Sequence, residues 1–273
     1  MGKLLDIDPA GFDEHFGKKP FAVRHHLSGH PLLTVERVAQ LADALPESQV
    51  EHNLGKVDKF VPSGEAPRLD ATPGEVARGI DTNGCWMVLK NIEQDAEYKA
   101  LLDETLDEVK AWSDLEGGQT LREGFIFLTA PNSMTPAHVD PEHNFLLQIR
   151  GDKVMNTGDF PSEEVRTSAL EAFYSGAHRN IDWEPAAHRE FPLDPGDGIY
   201  MPVAVPHWVT SGPEVSVSLS VTFRTPVTER VGHVWSANSR LRKLRLSPNP
   251  PGASERSDRF KDSAARALSK LRR

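Results

Sequence analysis

Residues 124–154 read GFIFLTAPNSMTPAHVDPEHNFLLQIRGDKV, and the fold follows from them. GFIFLTA is an apolar strand, Pro131-Asn132-Ser133 a turn, and Thr135 to Asp140 a second, short strand. Phe145 to Val154 is predicted as the next strand, with Gly158-Asp159 closing it. Further out, residues 196–202 follow the turn at Pro195-Gly196 as another strand. Residues 214–224 alternate most clearly. Val215, Val217, Leu219, Val221 and Phe223 interleave with Ser216, Ser218, Ser220 and Thr222. One face packs against apolar neighbours. The small hydroxylated face borders either a wet interior pocket or, on an edge strand, solvent.

Helices flank and interrupt the strands. Thr34 to Leu45 is predicted helical with Thr34 as its cap, and Asp95 to Trp112 carries Tyr98, Leu102, Leu106 and Val109 at helical spacing. Ser162 to Tyr174 is a helix inserted between strands. Val234 to Leu246 and Ser257 to Leu271 follow the last strand. The expected organisation is a helical and mixed region over 1–120 packing on a barrel, a barrel core over 121–228, and C-terminal helices over 229–273.

With 273 residues, 38% hydrophobic and 26% charged, the chain is a globular protein and not a disordered one. It contains no apolar run of the roughly 18 residues a membrane span needs. Its acidic N-terminus lacks the order of a secretory signal. The single cysteine, Cys85, cannot form an internal disulfide. These features predict a cytoplasmic protein without membrane association. Cys85 within CWMVL reads as a buried core residue or as a thiol nucleophile. The net charge of −9 divides unevenly, because residues 240–273 hold eleven Lys/Arg against three Asp/Glu. That basic segment reads as a solvated helix surface against an acidic body, with nucleic-acid contact the competing reading.

The chemistry-bearing residues are His138, Asp140 and His207. Positions i and i+2 of a strand share a face, so His138 and Asp140 can converge on one ion. His207 follows the 196–202 strand, where a barrel can return it to the first pair. Two imidazoles and one carboxylate leave coordination positions open, the arrangement of non-heme iron(II) oxygenases. His143 offers a rival, compact site with His138 and Asp140.

The 124–154 run resembles JmjC-type hydroxylases, most closely the asparaginyl hydroxylase acting on hypoxia-inducible factor. The matching residues are Thr135-Pro136-Ala137-His138, Asp140, Asn144-Phe145, Gln148-Ile149, Gly151 and Lys153, together with the GDGIYMPVAVPHWV stretch leading to His207. The resemblance spans residues 123–224. It implies a mostly β fold with helical additions, a double-stranded β-helix of the jelly-roll, cupin/JmjC type. It implies Fe(II) held by His138, Asp140 and His207, and 2-oxoglutarate as cosubstrate. It also implies that Lys153 pairs with the distal carboxylate of 2-oxoglutarate, Thr135 hydrogen-bonds to that carboxylate, and Asn144 sits near the keto-acid end. Arg150 and Arg224 are the other candidate anchors. Tyr200 either lines the same pocket or belongs to the core. The family's other cosubstrate-side tyrosine, upstream of its first barrel strand, is not placed by the resemblance, and at its late asparagine this chain offers Ser220 or Thr222.

The implied reaction is hydroxylation of a C–H bond, with succinate and CO2 released. The implied substrate is a protein, peptide or amino-acid-like molecule. Asp140, where histone demethylases usually carry glutamate, points to stable hydroxylation. A homodimer through the C-terminal helices is expected as well. The competing classes are a cupin metal enzyme that does not use 2-oxoglutarate and a non-catalytic regulatory or nucleic-acid-binding protein on the same barrel.

Overall fold

The alternation at 215–223 sorts as its period demands. Val217, Leu219, Val221 and Phe223 are buried in the main hydrophobic core, while Ser218, Ser220 and Thr222 are buried on the opposite face. The structure is a computed structural model and describes residues 2–54, 58–60, 69–112, 115 and 117–270.

In chain order the strands are β1 (Leu5–Asp6), β2 (Phe21–His25), β3 (Val50–Leu54), β4 (Cys85–Lys90), β5 (Thr120–Thr129), β6 (Met134–His138) and β7 (His143–Arg150). They continue with β8 (Lys153–Asp159), β9 (Ala186–Leu193), β10 (Asp197–Met201), β11 (His207–Ser211) and β12 (Ser216–Arg224). The helices are α1 (Pro9–His15), α2 (Val35–Ala44), α3 (Pro73–Arg78), α4 (Ala96–Trp112), α5 (Glu163–Phe173), α6 (Pro226–Lys243) and α7 (Glu255–Lys270).

Strands β5 to β12 distribute over two sheets. One sheet has the order β1-β2-β10-β7-β12-β5-β4-β3 and the other β6-β11-β8-β9, all antiparallel. That order is jelly-roll. The ladder hydrogen bonds run within each sheet, so the expected barrel takes the form of a jelly-roll-like sandwich. Between the sheets, Leu146, Met155, Ile199, Met201 and Val209 form a small apolar cluster. The larger core lies on the outer face of the first sheet, where buried residues of α2, α3 and α4 join Ile126, Leu147, Leu219 and Val221 in one cluster. Each such fully buried side chain contributes about 1.5–3 kcal/mol. Putting the main core outside the sandwich leaves part of the interior free for a polar site.

Several expectations need adjusting. The strand predicted over 145–154 is two strands, because Gly151 adopts φ +66° and a Cβ there would lie 2.5 Å from the Val215 carbonyl oxygen. The chain therefore turns at Gly151 and passes from one sheet to the other. Residues 1–120 do not only pack on the jelly roll. Their strands β1, β2, β3 and β4 extend the first sheet at both edges. The α6 helix starts eight residues earlier than read, with a Thr225 capping box and Pro226 in its first turn. Caps at Thr34 and Ser162 form as predicted. Cys85 is buried in the main core, and burial pushes its thiol up, which suits a packing role. Among the described residues, no helix is long and apolar enough to cross a membrane.

Candidate active site

Short local bonds aim both imidazoles. His138 ends β6, with Nδ1 2.7 Å from the Pro136 carbonyl oxygen, and His207 opens β11, with Nδ1 2.8 Å from that of Val205. A carbonyl oxygen only accepts, so each Nδ1 carries the proton and each Nε2 presents a lone pair. Antiparallel pairing sets His207 directly opposite His138. The two Nε2 atoms then converge on one oxygen: Asp140 Oδ2 lies 3.5 Å from His138 Nε2 and 3.4 Å from His207 Nε2. Ligand atoms of all three residues lie within 4.8 Å of one another. Two imidazoles and a carboxylate fit a divalent transition metal such as iron(II).

The local electrostatics suit a cation. Burial, and then the neighbouring His207, push the His138 imidazole down to about 4, so it is neutral near pH 7. Burial alone would raise the Asp140 carboxyl, but His138 and Arg179 outweigh it and hold the group well below the usual carboxylate range.

The His143 alternative fails on strand alternation. His143 faces the outer core, stacked between Phe16 and Phe223, with Nδ1 2.7 Å from the Tyr200 hydroxyl. The pocket reading of Tyr200 is corrected in the same way. On β10, Ile199 and Met201 point between the sheets, whereas Tyr200 packs among Phe16, Phe21 and Phe145, and its hydroxyl accepts from the Gly17 amide. It belongs to the core.

A cavity of about 270 Å³ opens beside the triad, lined by Trp86, Thr135, His138, Asp140, Asn144 and Ser220 among others. The Ser220 hydroxyl donates to Asn144 Oδ1 at 2.7 Å, so the hydroxylated face of β12 does border an interior pocket. Gln148, by contrast, is structural. Its amide bonds the Arg150 and Gly151 carbonyls and the Ser216 hydroxyl, stitching β7 to β12. Lys153 opens β8 opposite Ser211, on the face that carries His207. It is only 4% exposed and meets no hydrogen-bonding or ionic partner among the described residues; burial pushes its ammonium down to about 7. The rival anchors are spoken for or outside: Arg224 bonds Glu142 at 2.5 Å, and Arg150 is exposed.

Two residues of the site carry no signal in the sequence. Trp86 reads as core in CWMVL, yet its indole Nε1 donates to the Thr135 hydroxyl at 3.0 Å. That bond fills an acceptor position of Thr135 and leaves the hydroxyl proton for another acceptor. Arg179 lies in an unpatterned loop and donates from Nη1 to Asp140 Oδ1 at 3.1 Å. Only tertiary pairing brings either one in.

Residues 114–231 match the family model of the JmjC domain. The overall fold is similar to that of YcfD from Escherichia coli, with a TM-score of 0.57 at 17% identity, covering 98% of this chain and 69% of that one. A structure of the Escherichia coli ribosomal oxygenase YcfD in complex with cobalt and 2-oxoglutarate matches with a TM-score of 0.52 at 17% identity, covering 97% of this chain and 67% of that one. A third, of YcfD with cobalt and succinic acid, gives 0.51 at 17% identity over the same shares. At this identity the likeness is one of fold. No curated protein matches the chain.

Proposed function

We propose that the chain is an iron(II)- and 2-oxoglutarate-dependent oxygenase that hydroxylates a C–H bond on a protein or peptide side chain. The observation that carries this reading is the convergence of two Nε2 atoms on Asp140 Oδ2, beside a sheet that buries Lys153 without a partner among the described residues. Loaded with iron(II) and 2-oxoglutarate, such a site supplies oxygen activation coupled to oxidative decarboxylation, yielding succinate and CO2. His138, Asp140 and His207 hold the metal. Lys153 and Thr135 receive the distal carboxylate, a buried ammonium and a donor hydroxyl for a dianion. Asn144, fixed by Ser220, turns its amide to the cavity beside the metal. The JmjC match over 114–231 supports the reading, as does the fold of an oxygenase solved with cobalt and 2-oxoglutarate.

The motifs shared with the asparaginyl hydroxylase hold metal and oxoacid, so they speak for the cosubstrate and not for the target residue. A protein substrate is supported by the likeness in fold to a ribosomal oxygenase. Action in the cytoplasm fits the single buried Cys85. The test is to incubate the protein with iron(II), ascorbate, 2-oxoglutarate and host lysate or peptide libraries. Succinate formation with a stable +16 Da product is expected. Formaldehyde release from methylated peptides would instead assign demethylation, and a metal-dependent reaction without succinate would assign another cupin chemistry.

Trp86→Phe is expected to weaken 2-oxoglutarate binding by about 1 kcal/mol, roughly fivefold, with metal affinity unchanged. Isothermal titration of each ligand separates the two effects.

The C-terminal helices complete a homodimer in this reading. The α7 helix turns Asp258 and Lys261 inward, with Lys261 Nζ donating to Asn238 Oδ1 of α6 at 2.7 Å, and leaves Phe260 76% exposed. Ala264 and Ala267 of the same stripe are exposed too, while the Leu268 side chain and Leu271 lie outside the described residues. Phe260→Glu should convert a dimer to a monomer by light scattering. A wild-type chain that is already monomeric refutes this part.

A further inference from the structure

His138 and His207 each brace their ring on a carbonyl two residues back, but the carboxylate of Asp140 has no such local brace. Asp140 lies past the end of β6, where ladder pairing no longer sets side-chain direction. Besides the two imidazoles, Arg179 contacts this carboxylate, donating to Oδ1.

Arg179 does not belong to the sandwich. It sits in the connection from α5 to β9, and residues 179–181 pair with β6 through an isolated antiparallel bridge. The Val139 amide donates to the Arg179 carbonyl at 3.1 Å, and the Ile181 amide donates to the Ala137 carbonyl at 2.9 Å. Asn180 forms an antiparallel bridge with His138. These contacts fall on Ala137, His138 and Val139, immediately before Asp140, and His178, Arg179 and Asn180 line the cavity. The segment thus holds the metal strand by its backbone and the metal carboxylate by one side chain.

We propose that Arg179 is a positioning residue of the metal centre: it occupies Oδ1 of Asp140, so that Oδ2 alone is presented with the two imidazoles. The inference rests on the reading of the triad as the metal site. A guanidinium beside a ligand acts in two opposed ways. It orders the carboxylate, which favours the metal, and it repels a dication, which disfavours it. Electrostatics alone predicts that removing Arg179 tightens metal binding. Its side chain is 38% exposed, so solvent screens the repulsion. Positioning therefore wins, and the sign of the change separates the two effects.

The experiment titrates full-length protein with cobalt(II), following the visible absorption of the bound ion. Arg179→Ala should bind cobalt(II) about 10–100-fold more weakly, as loss of an outer-shell partner does. Its spectrum should change as Oδ1 becomes available to the ion. Arg179→Met keeps the bulk without the donor and should behave like Arg179→Ala. Arg179→Lys keeps charge and a donor and should recover most of the affinity. Melting of the metal-free variants near the wild-type temperature checks that the segment still folds. Wild-type or tighter affinity together with a wild-type spectrum in both Arg179→Ala and Arg179→Met overturns the inference. If wild-type protein itself binds no cobalt(II), the metal-site reading fails first.

Discussion

Alanine at His138 or at Asp140 should abolish metal-dependent conversion of 2-oxoglutarate to succinate and leave the fold intact. In the proposed site three side chains hold the ion, and removing one of three leaves too few donors to retain it. The fold survives because His138 and Asp140 line the interior cavity, while the main core lies on the other side of the first sheet. Neither residue belongs to that core. The measurements are succinate formation, cobalt(II) titration, and thermal melting of the metal-free protein. Full turnover in either variant refutes the triad. Loss of turnover accompanied by an unfolded spectrum would mean that the residue is structural.

Lys153 carries the second large effect. Lys153→Ala should weaken 2-oxoglutarate binding by about 2–3 kcal/mol, because the distal carboxylate loses a charge-assisted partner in a buried site, while metal binding persists. Unchanged affinity for 2-oxoglutarate would refute the anchor. Without cosubstrate the same ammonium is a burden. Burial lowers it to about 7 from the ordinary 10.5. Below pH 7 it is charged in folded and unfolded chains alike, and its burial costs most. As pH rises from 7 toward 10.5 the unfolded chain holds the extra proton, and the cost fades. Lys153→Met should therefore stabilise the cosubstrate-free protein by about 1–4 kcal/mol at pH 7 or below, with the gain vanishing above 10.5. Urea melts across pH measure it. Binding of the dianion recharges the amine, so above pH 7 it takes up a proton, and affinity should fall by up to about tenfold per pH unit.

Much of the site was legible because it is local. His138 and Asp140 lie two residues apart, and Thr135, Asn144 and Lys153 fall within the same short run. The alternation over 215–223 announced a small hydroxylated face, which the structure turns inward, and the capping residues Thr34 and Ser162 announced their helices. His207 was legible through the turn and strand that precede it. The strands of the N-terminal region were not. Residues 85–90 are buried nearly throughout, and an apolar run without alternation does not distinguish a strand from a buried helix.

By itself the sequence singled out His138 and Asp140 as a pair on one strand face, with His207 as their candidate partner, and marked helices after the last strand; the jelly-roll class came from the resemblance over residues 123–224. Only the tertiary structure decided which side of a strand meets which neighbour. That decision sent His143 and Tyr200 into the outer core, one residue out of phase with Asn144 and Met201, which point between the sheets. It also brought Trp86 to Thr135 and Arg179 to Asp140 across long stretches of chain. The physical reason is the two-residue period of a strand. A side chain's face follows from register and from where the chain turns, and both are set by pairing between distant segments.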